Sequence, residues 1–137
     1  MKITARTEYA TLAVLELASR EGASHIQAKE IAERQSIPLK FLEQILSQLR
    51  TAGVVKSVRG ASGGYSLARA ASEISLKDVV AAVEGDLRGG ETVIKDRTAL
   101  AVWQELQDEF LIRLASISFR DLVDRKLKES QIPNFQI

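Results

Sequence analysis

The chain has no cysteine in its 137 residues and a single histidine, His25. Disulfides are thereby excluded, which fits a reducing compartment, and no thiolate is on hand as nucleophile or metal ligand. One isolated imidazole makes neither a metal site nor a catalytic triad, so His25 reads as an exposed loop residue, with a phosphate contact as the lesser role. No carboxylates cluster in a way suited to acid–base work, which leaves an enzyme reading little to assign. Long hydrophobic runs are missing too. Charges at Lys2, Arg6 and Glu8 stand where a signal peptide would have its apolar region, and Glu16 interrupts the longest early apolar stretch. Neither an export signal nor a membrane span is expected, and a cytoplasmic protein is. Between Gln44 and Ser72 there is no Asp or Glu at all.

What is present is enough for one core, with 45% hydrophobic residues. The net charge of +1 conceals an asymmetry, since residues 1–70 hold ten Lys or Arg against six Glu, a net of +4. Residues 71–137 hold nine against twelve acidic residues, a net of −3. One end attracts phosphate and the other does not.

Residues 27–67, QAKEIAERQSIPLKFLEQILSQLRTAGVVKSVRGASGGYSL, read as two short amphipathic helices followed by two strand-like pieces around a glycine-rich turn. The first helix spans about Ala28 to Gln35, and Ser36 and Ile37 break it. Pro38 suits the first turn of the second helix, where its missing N–H goes unnoticed and its φ is already helical. Phe41, Leu42, Ile45, Leu46 and Leu49 fall on one face of that helix. Lys40, Glu43, Gln44, Ser47, Gln48 and Arg50 are left on the other. Gln can pair bidentately with adenine, Glu accepts from cytosine N4, and Lys reaches guanine or phosphate, so the types suit a major groove as well as an ordinary solvated face.

Gly53 suits a left-handed helix end, Val54 to Val58 a strand, and Tyr65 to Leu67 its return around a wide tip bearing Gly60, Gly63 and Gly64. Arg59 stands at the shoulder of this wing, and Arg50, Lys56 and Arg69 make the neighbourhood cationic. An arginine so placed suits a narrow minor groove. A phosphate-cradling P-loop fits poorly, because RGASGGY lacks the Gly-Lys-Ser/Thr ending and does not open a helix after a strand.

Elsewhere, Thr4 to about Arg20 predicts a helix offering Tyr9, Leu12, Ala13, Leu15, Leu17 and Ala18 to the core. Ser75 with Asp78, and Ser118 with Asp121, read as helix caps rather than as an internal repeat. From about Arg97 to Ala115 a longer helix presents Ala99, Val102, Trp103, Leu106, Phe110, Leu114 and Ile117, widened by Leu100 and Leu111. That stripe suits pairing with a second copy, with packing onto its own domain as the alternative.

Together Ile31-Ala32-Glu33-Arg34, Ile37-Pro38, Phe41-Leu42-Glu43-Gln44-Ile45-Leu46, Leu49-Arg50, Ala52-Gly53, Ser57-Val58-Arg59-Gly60 and Gly63-Gly64-Tyr65 closely resemble the Rrf2 family of bacterial transcription regulators. The opening Met1-Lys2-Ile3-Thr4 with Tyr9-Ala10, the run Ile74 to Val80 and the run Ile117 to Val123 are similar too, so the resemblance covers nearly the whole chain. It implies a mainly α fold with a small β-hairpin wing, a winged helix-turn-helix plus a long C-terminal dimerisation helix. By match, Glu43 and Gln44 would read the major groove, Arg59 would enter the minor groove, and Thr4, Arg6 and Tyr9 would touch phosphates. The full candidate DNA-binding set is Thr4, Arg6, Tyr9, Pro38, Leu39, Lys40, Glu43, Gln44, Ser47, Arg50, Ser57, Arg59 and Gly60. Lys40 departs from the small polar residue common in relatives, which leaves the base preference there open.

Many relatives hold an iron–sulfur cluster on three cysteines in the loop after the helix ending near Val83-Glu84-Gly85. With no cysteine here, and only Asp86, Glu91 and Asp96 in that stretch, no cluster and no other cofactor or metal is expected. The expected organisation is residues 1–84 as the DNA-binding domain, 85–96 as the loop, 97–128 as dimerisation helix and following helix, and 129–137 as a loosely held tail. The expected dimerisation residues are Val102, Trp103, Leu106, Phe110 and Leu114. The expected function is a regulator that binds an inverted repeat of double-stranded DNA as a homodimer, with a winged-helix module for protein contact as the alternative.

Overall fold

The computed structural model describes residues 3–131. In chain order the elements are α1 (Ala5–Ser19), α2 (Ala28–Gln35), α3 (Leu39–Thr51), β1 (Val55–Val58), β2 (Gly64–Leu67), a 3-10 turn (Ala71–Glu73), α4 (Leu76–Glu84), α5 (Arg97–Ser116) and α6 (Phe119–Gln131). α1 is the hub and packs against α2, α3, α4, α6 and β2. Its buried apolar face is Ala10, Ala13, Val14, Leu17 and Ala18, whereas Tyr9, Leu12 and Leu15 lie only half-buried at its edges. Small alanines let neighbouring helices come close, so the larger residues expected inside mark the margins instead. Glu16 is also buried, its carboxylate accepting from Gln35 Nε2 at 2.9 Å with Arg34 Nη1 at 4.0 Å, which fastens α1 to α2.

The break between α2 and α3 has a specific cause. Ser36 adopts the left-handed conformation (φ 56°, ψ 45°), letting the Ile37 N–H bond back to the Ala32 carbonyl at 3.0 Å while the Ile37 side chain enters the core. Pro38 is the cap of α3 rather than a residue of its first turn, because its ψ of 124° is extended; its carbonyl accepts from Leu42 N at 2.9 Å. At the far end Gly53 has φ +77° and Val54 N bonds the Leu49 carbonyl at 2.9 Å, turning the chain into the wing.

β1 begins one residue later than the sequence suggests, at Val55, and pairs antiparallel with β2 in the register Val55↔Leu67 to Val58↔Gly64. Tyr65 also bridges Ile26, exchanging bonds of 2.9 and 2.7 Å, so the segment before α2 acts as a third strand-like edge. His25, next to that bridge, is half-buried in a hollow between the end of α1 and the wing, not exposed as expected.

Both expected caps form. Ser75 and Asp78 make a reciprocal capping box on α4, and Ser118 and Asp121 exchange the same pair of bonds at the start of α6. The two caps bridge one another, with Leu76 N on the Ile117 carbonyl and Phe119 N on the Ile74 carbonyl, both at 2.9 Å. This junction seats Phe119, fully buried, beneath α1 and the 3-10 turn. α6 continues to Gln131, three residues past the boundary expected for the tail, and residues 132–137, like Met1 and Lys2, lie outside the described residues.

Phe119→Ala should cost about 3 to 5 kcal/mol, the usual penalty for truncating a buried aromatic. Urea unfolding followed by circular dichroism checks this, and a loss under about 1 kcal/mol would show that α6 is not integral to the core.

Candidate nucleic-acid interface

α3 is divided lengthwise. Leu42, Ile45, Leu46 and Leu49 are fully buried, and Phe41 is half-buried. The opposite face exposes Lys40, Glu43, Gln44, Ser47 and Arg50, together with Leu39 and Pro38 at its start. Lys40, Glu43, Gln44, Ser47 and Gln48 line a shallow groove with Arg6 of α1. Within the described residues, no ion pair involves Lys40, Lys56 or Arg59. These cations are therefore available to an external polyanion.

Other members of the expected set are braced. Arg50 Nη1 donates to Ser57 Oγ at 3.2 Å, tying the end of α3 to β1. Arg6 donates through Nη1 to Gln48 Oε1 at 2.9 Å, and its guanidinium carbon lies 5.4 Å from the Phe41 ring centroid. Tyr9 packs edge-on against the same ring, centroids 5.5 Å apart at 79°. Thr4 caps α1 by accepting from Thr7 N and donates its own hydroxyl proton to Glu84. α1 thus presents an arginine already oriented toward α3. Arg59 and Gly60 are exposed at the wing tip, where Gly60 has φ +111°.

Two wing glycines are required by close backbone approach. A Cβ on Gly63 would sit 2.1 Å from the Val58 carbonyl oxygen, and one on Gly64, already at φ +138°, 2.5 Å from that of Ile26. Gln27 Nε2 further holds the tip through the Ala61 carbonyl at 3.3 Å.

Sequence reading passed over three participants: Gln48 as the partner of Arg6, Gln27 as a wing brace, and Glu84. The Thr7 hydroxyl donates to Glu84 Oε1 at 2.7 Å beside the Thr4 bond, and these two bonds hold the carboxyl below its usual range, aided by Arg6 and opposed by burial. A lowered carboxyl stabilises the fold above its unfolded pKa, and that contribution fades as acid takes the pH down through the folded value. Nothing at 77 or 80 residues' separation advertises this contact.

α5 faces outward. Leu111 alone among its residues is buried, while Val102, Trp103, Leu106, Phe110 and Ile112 are 48, 62, 48, 40 and 70% exposed. Leu100, Leu114 and Ile117 are half-buried. Phe110 and Leu114 continue into an apolar groove with Ile3, Leu12, Leu76 and Val80.

A helix-turn-helix with a hairpin wing, one free polar helix face and an acid-free wing define a winged-helix DNA-binding protein. The match to the Rrf2 family, described as an iron-dependent transcriptional regulator, runs over residues 3–125, and the chain belongs to that family. A helix-turn-helix transcriptional regulator of Synechocystis sp. is 39% identical over 89% of this chain and 87% of its own length. The regulator IscR of Photorhabdus laumondii is 35% identical over 92% of this chain and 81% of its own. Among solved structures, CymR of B. subtilis, described as a global cysteine regulator, superposes with a TM-score of 0.83 at 32% identity, covering 91% of this chain and 98% of that one. IscR of T. potens gives 0.81 at 32%, covering 98% and 94%. These relatives are regulators, not enzymes, and this chain is a DNA-binding transcription regulator.

The residues present do not fit a thiolate-held cluster. The sequence has no cysteine, and among the described residues no group of three or more His, Cys, Asp or Glu gathers. Asp86 accepts from Arg88 N at 2.9 Å, and Asp96 caps α5 through Ala99 N at 2.9 Å, so two of the three loop carboxylates already have local partners. Among the described residues no helix is long and apolar enough to cross a membrane.

Gly64→Ala should destabilise the protein more than Gly60→Ala, which carries a positive φ but meets nothing within 4 Å. Thermal melts should show a loss of about 1 kcal/mol for Gly60, from the left-handed backbone alone, and distinctly more for Gly64. Equal losses would mean that the Ile26 contact does not constrain the wing.

Proposed function

We propose that the chain is a cytoplasmic homodimer that reads an inverted-repeat operator, each protomer placing α3 in a major groove and its wing in the adjacent minor groove. The observation that carries this reading is the coincidence, in one chain, of a helix α3 that exposes Lys40, Glu43, Gln44 and Ser47 and an α5 whose apolar face is uncovered. Exposed aromatic and aliphatic residues in such a contiguous row are costly for a monomer. A copy of the same helix, related by a two-fold axis, covers the row with itself.

In this arrangement Gln44 and Glu43 face base edges, Lys40, Ser47 and Arg50 face bases or phosphates at either end of α3, and Pro38 and Leu39 approach the backbone where the helix enters the groove. Thr4, Arg6 and Tyr9 meet phosphate from the start of α1. Arg59 and Gly60, with Ser57 behind them, bring the wing to the minor groove. Residues 1–84 are the reading head, with α6 packed into the same core through Phe119 and Val123, and α5, which follows the 85–96 loop, is the dimerisation helix. No iron–sulfur cluster takes part.

Arg59→Ala and Gln44→Ala should each weaken binding to a preferred site, Gln44→Ala also losing roughly 1 to 3 kcal/mol of base discrimination. Isotherms against preferred and scrambled duplexes decide this, and unchanged affinity in both variants would remove α3 and the wing from the interface.

Leu106→Glu places an unpaired charge in the proposed two-fold contact and should yield monomers with much weaker full-site binding. Light scattering coupled to size exclusion checks it. A wild-type monomer at tens of micromolar would leave the dimer without support.

A further inference from the structure

Glu84 is the last residue of α4, far in sequence from the start of α1, yet its carboxylate takes hydrogen bonds from both Thr4, the cap of α1, and Thr7 on its first turn. Thr4 and Thr7 lie one turn apart on the same side of that helix, so a single acceptor fixes both hydroxyls and with them the rotation of the turn. Arg6, on that turn, reaches across to Gln48 and lies over Phe41, both on α3. An unbroken line of contacts therefore runs from the end of α4 to the polar face of the reading helix.

A carboxylate is an unfavourable neighbour for phosphate; this one is itself only half-buried, although it accepts from the buried Thr7 hydroxyl. Its favourable placement at a helix N-terminus does not account for two simultaneous hydroxyl bonds. The next residue, Gly85, turns the chain at φ +80° into the 86–96 loop, which is tied to α5 by Gln107 Nε2 on the Leu87 carbonyl at 3.1 Å and by Arg88 to Asp108 at 3.0 Å. Glu84 thus stands where the loop and α5 meet the DNA-facing end of α1.

We propose that Glu84 is a positioning residue for DNA binding: its carboxylate sets the first turn of α1, and through Arg6 it holds α3 in the pose that fits the operator. The inference rests on the reading of α1 and α3 as DNA-contacting. By this route a displacement of the 86–96 loop reaches the reading helix without passing through the hydrophobic core.

The test uses the full chain and a duplex selected by the wild-type protein from a random library. Glu84→Ala should bind that duplex about tenfold more weakly, the scale of a lost charge-assisted hydrogen bond. Glu84→Gln keeps an acceptor oxygen and should stay within about threefold of wild type. The double variant Glu84→Ala with Arg6→Ala should bind no more weakly than the worse single, since both act along one path. If Glu84→Ala does not fold, Thr7→Val removes one donor at constant shape and should weaken binding in the same direction. Wild-type affinity in Glu84→Ala or in Thr7→Val, equal weakness in the Gln and Ala variants, or losses in the double variant that simply multiply would each overturn the proposal. Failure of the wild type to enrich any duplex would instead overturn the DNA-binding reading on which it rests.

Discussion

The burial of one face of α3 against α1 is the constraint on which the rest depends. Leu42, Ile45, Leu46 and Leu49 are withdrawn completely from water, worth about 1.5 to 3 kcal/mol each. Helical periodicity then forces Lys40, Glu43, Gln44 and Ser47 to the outside. The polar face exists because the core fixes the rotation of the helix, and a rotation by one residue would bury charge and expose leucine. α1 in turn is narrow enough, through Ala10, Ala13 and Ala18, to let α2, α3, α4 and α6 gather around it.

Onto this rigid part the wing is fastened by backbone rather than by bulk. Its two short strands would be marginal alone, and the Ile26 bridge, the Gly63 and Gly64 approaches and the Arg50 to Ser57 bond attach it to the helices on either side. The tip, held by Gln27 on the Ala61 carbonyl, leaves Arg59 exposed. The polar contacts of the head follow the same division: those at its edges brace one element against another, and those at its centre are left unspent.

Much of this was legible in the sequence because it is local. The period of α3, the turn at Ser36-Ile37-Pro38, the left-handed Gly53 and the two Ser-x-x-Asp caps each depend on residues a few positions apart, and local chemistry is what a sequence displays. Less legible were pairings at long range. Ile26 on Tyr65, Ser75 on Ser118, and Glu84 on Thr4 and Thr7 join segments that nothing in their own composition connects. The position of Pro38, one residue ahead of the helix, and the half-burial of His25 were missed for smaller reasons: a ψ value and a neighbouring bridge that only the folded chain defines.

The most direct test of the central claim, that two copies of α3 read two half-sites, is a hydroxyl-radical and methylation-protection footprint on a duplex selected by the wild-type protein. The two-fold arrangement predicts two protected major-groove segments whose centres lie about 34 to 36 Å apart, one helical turn, with minor-groove protection beside each from the wings. A single protected segment, or protection confined to the minor groove, would contradict it.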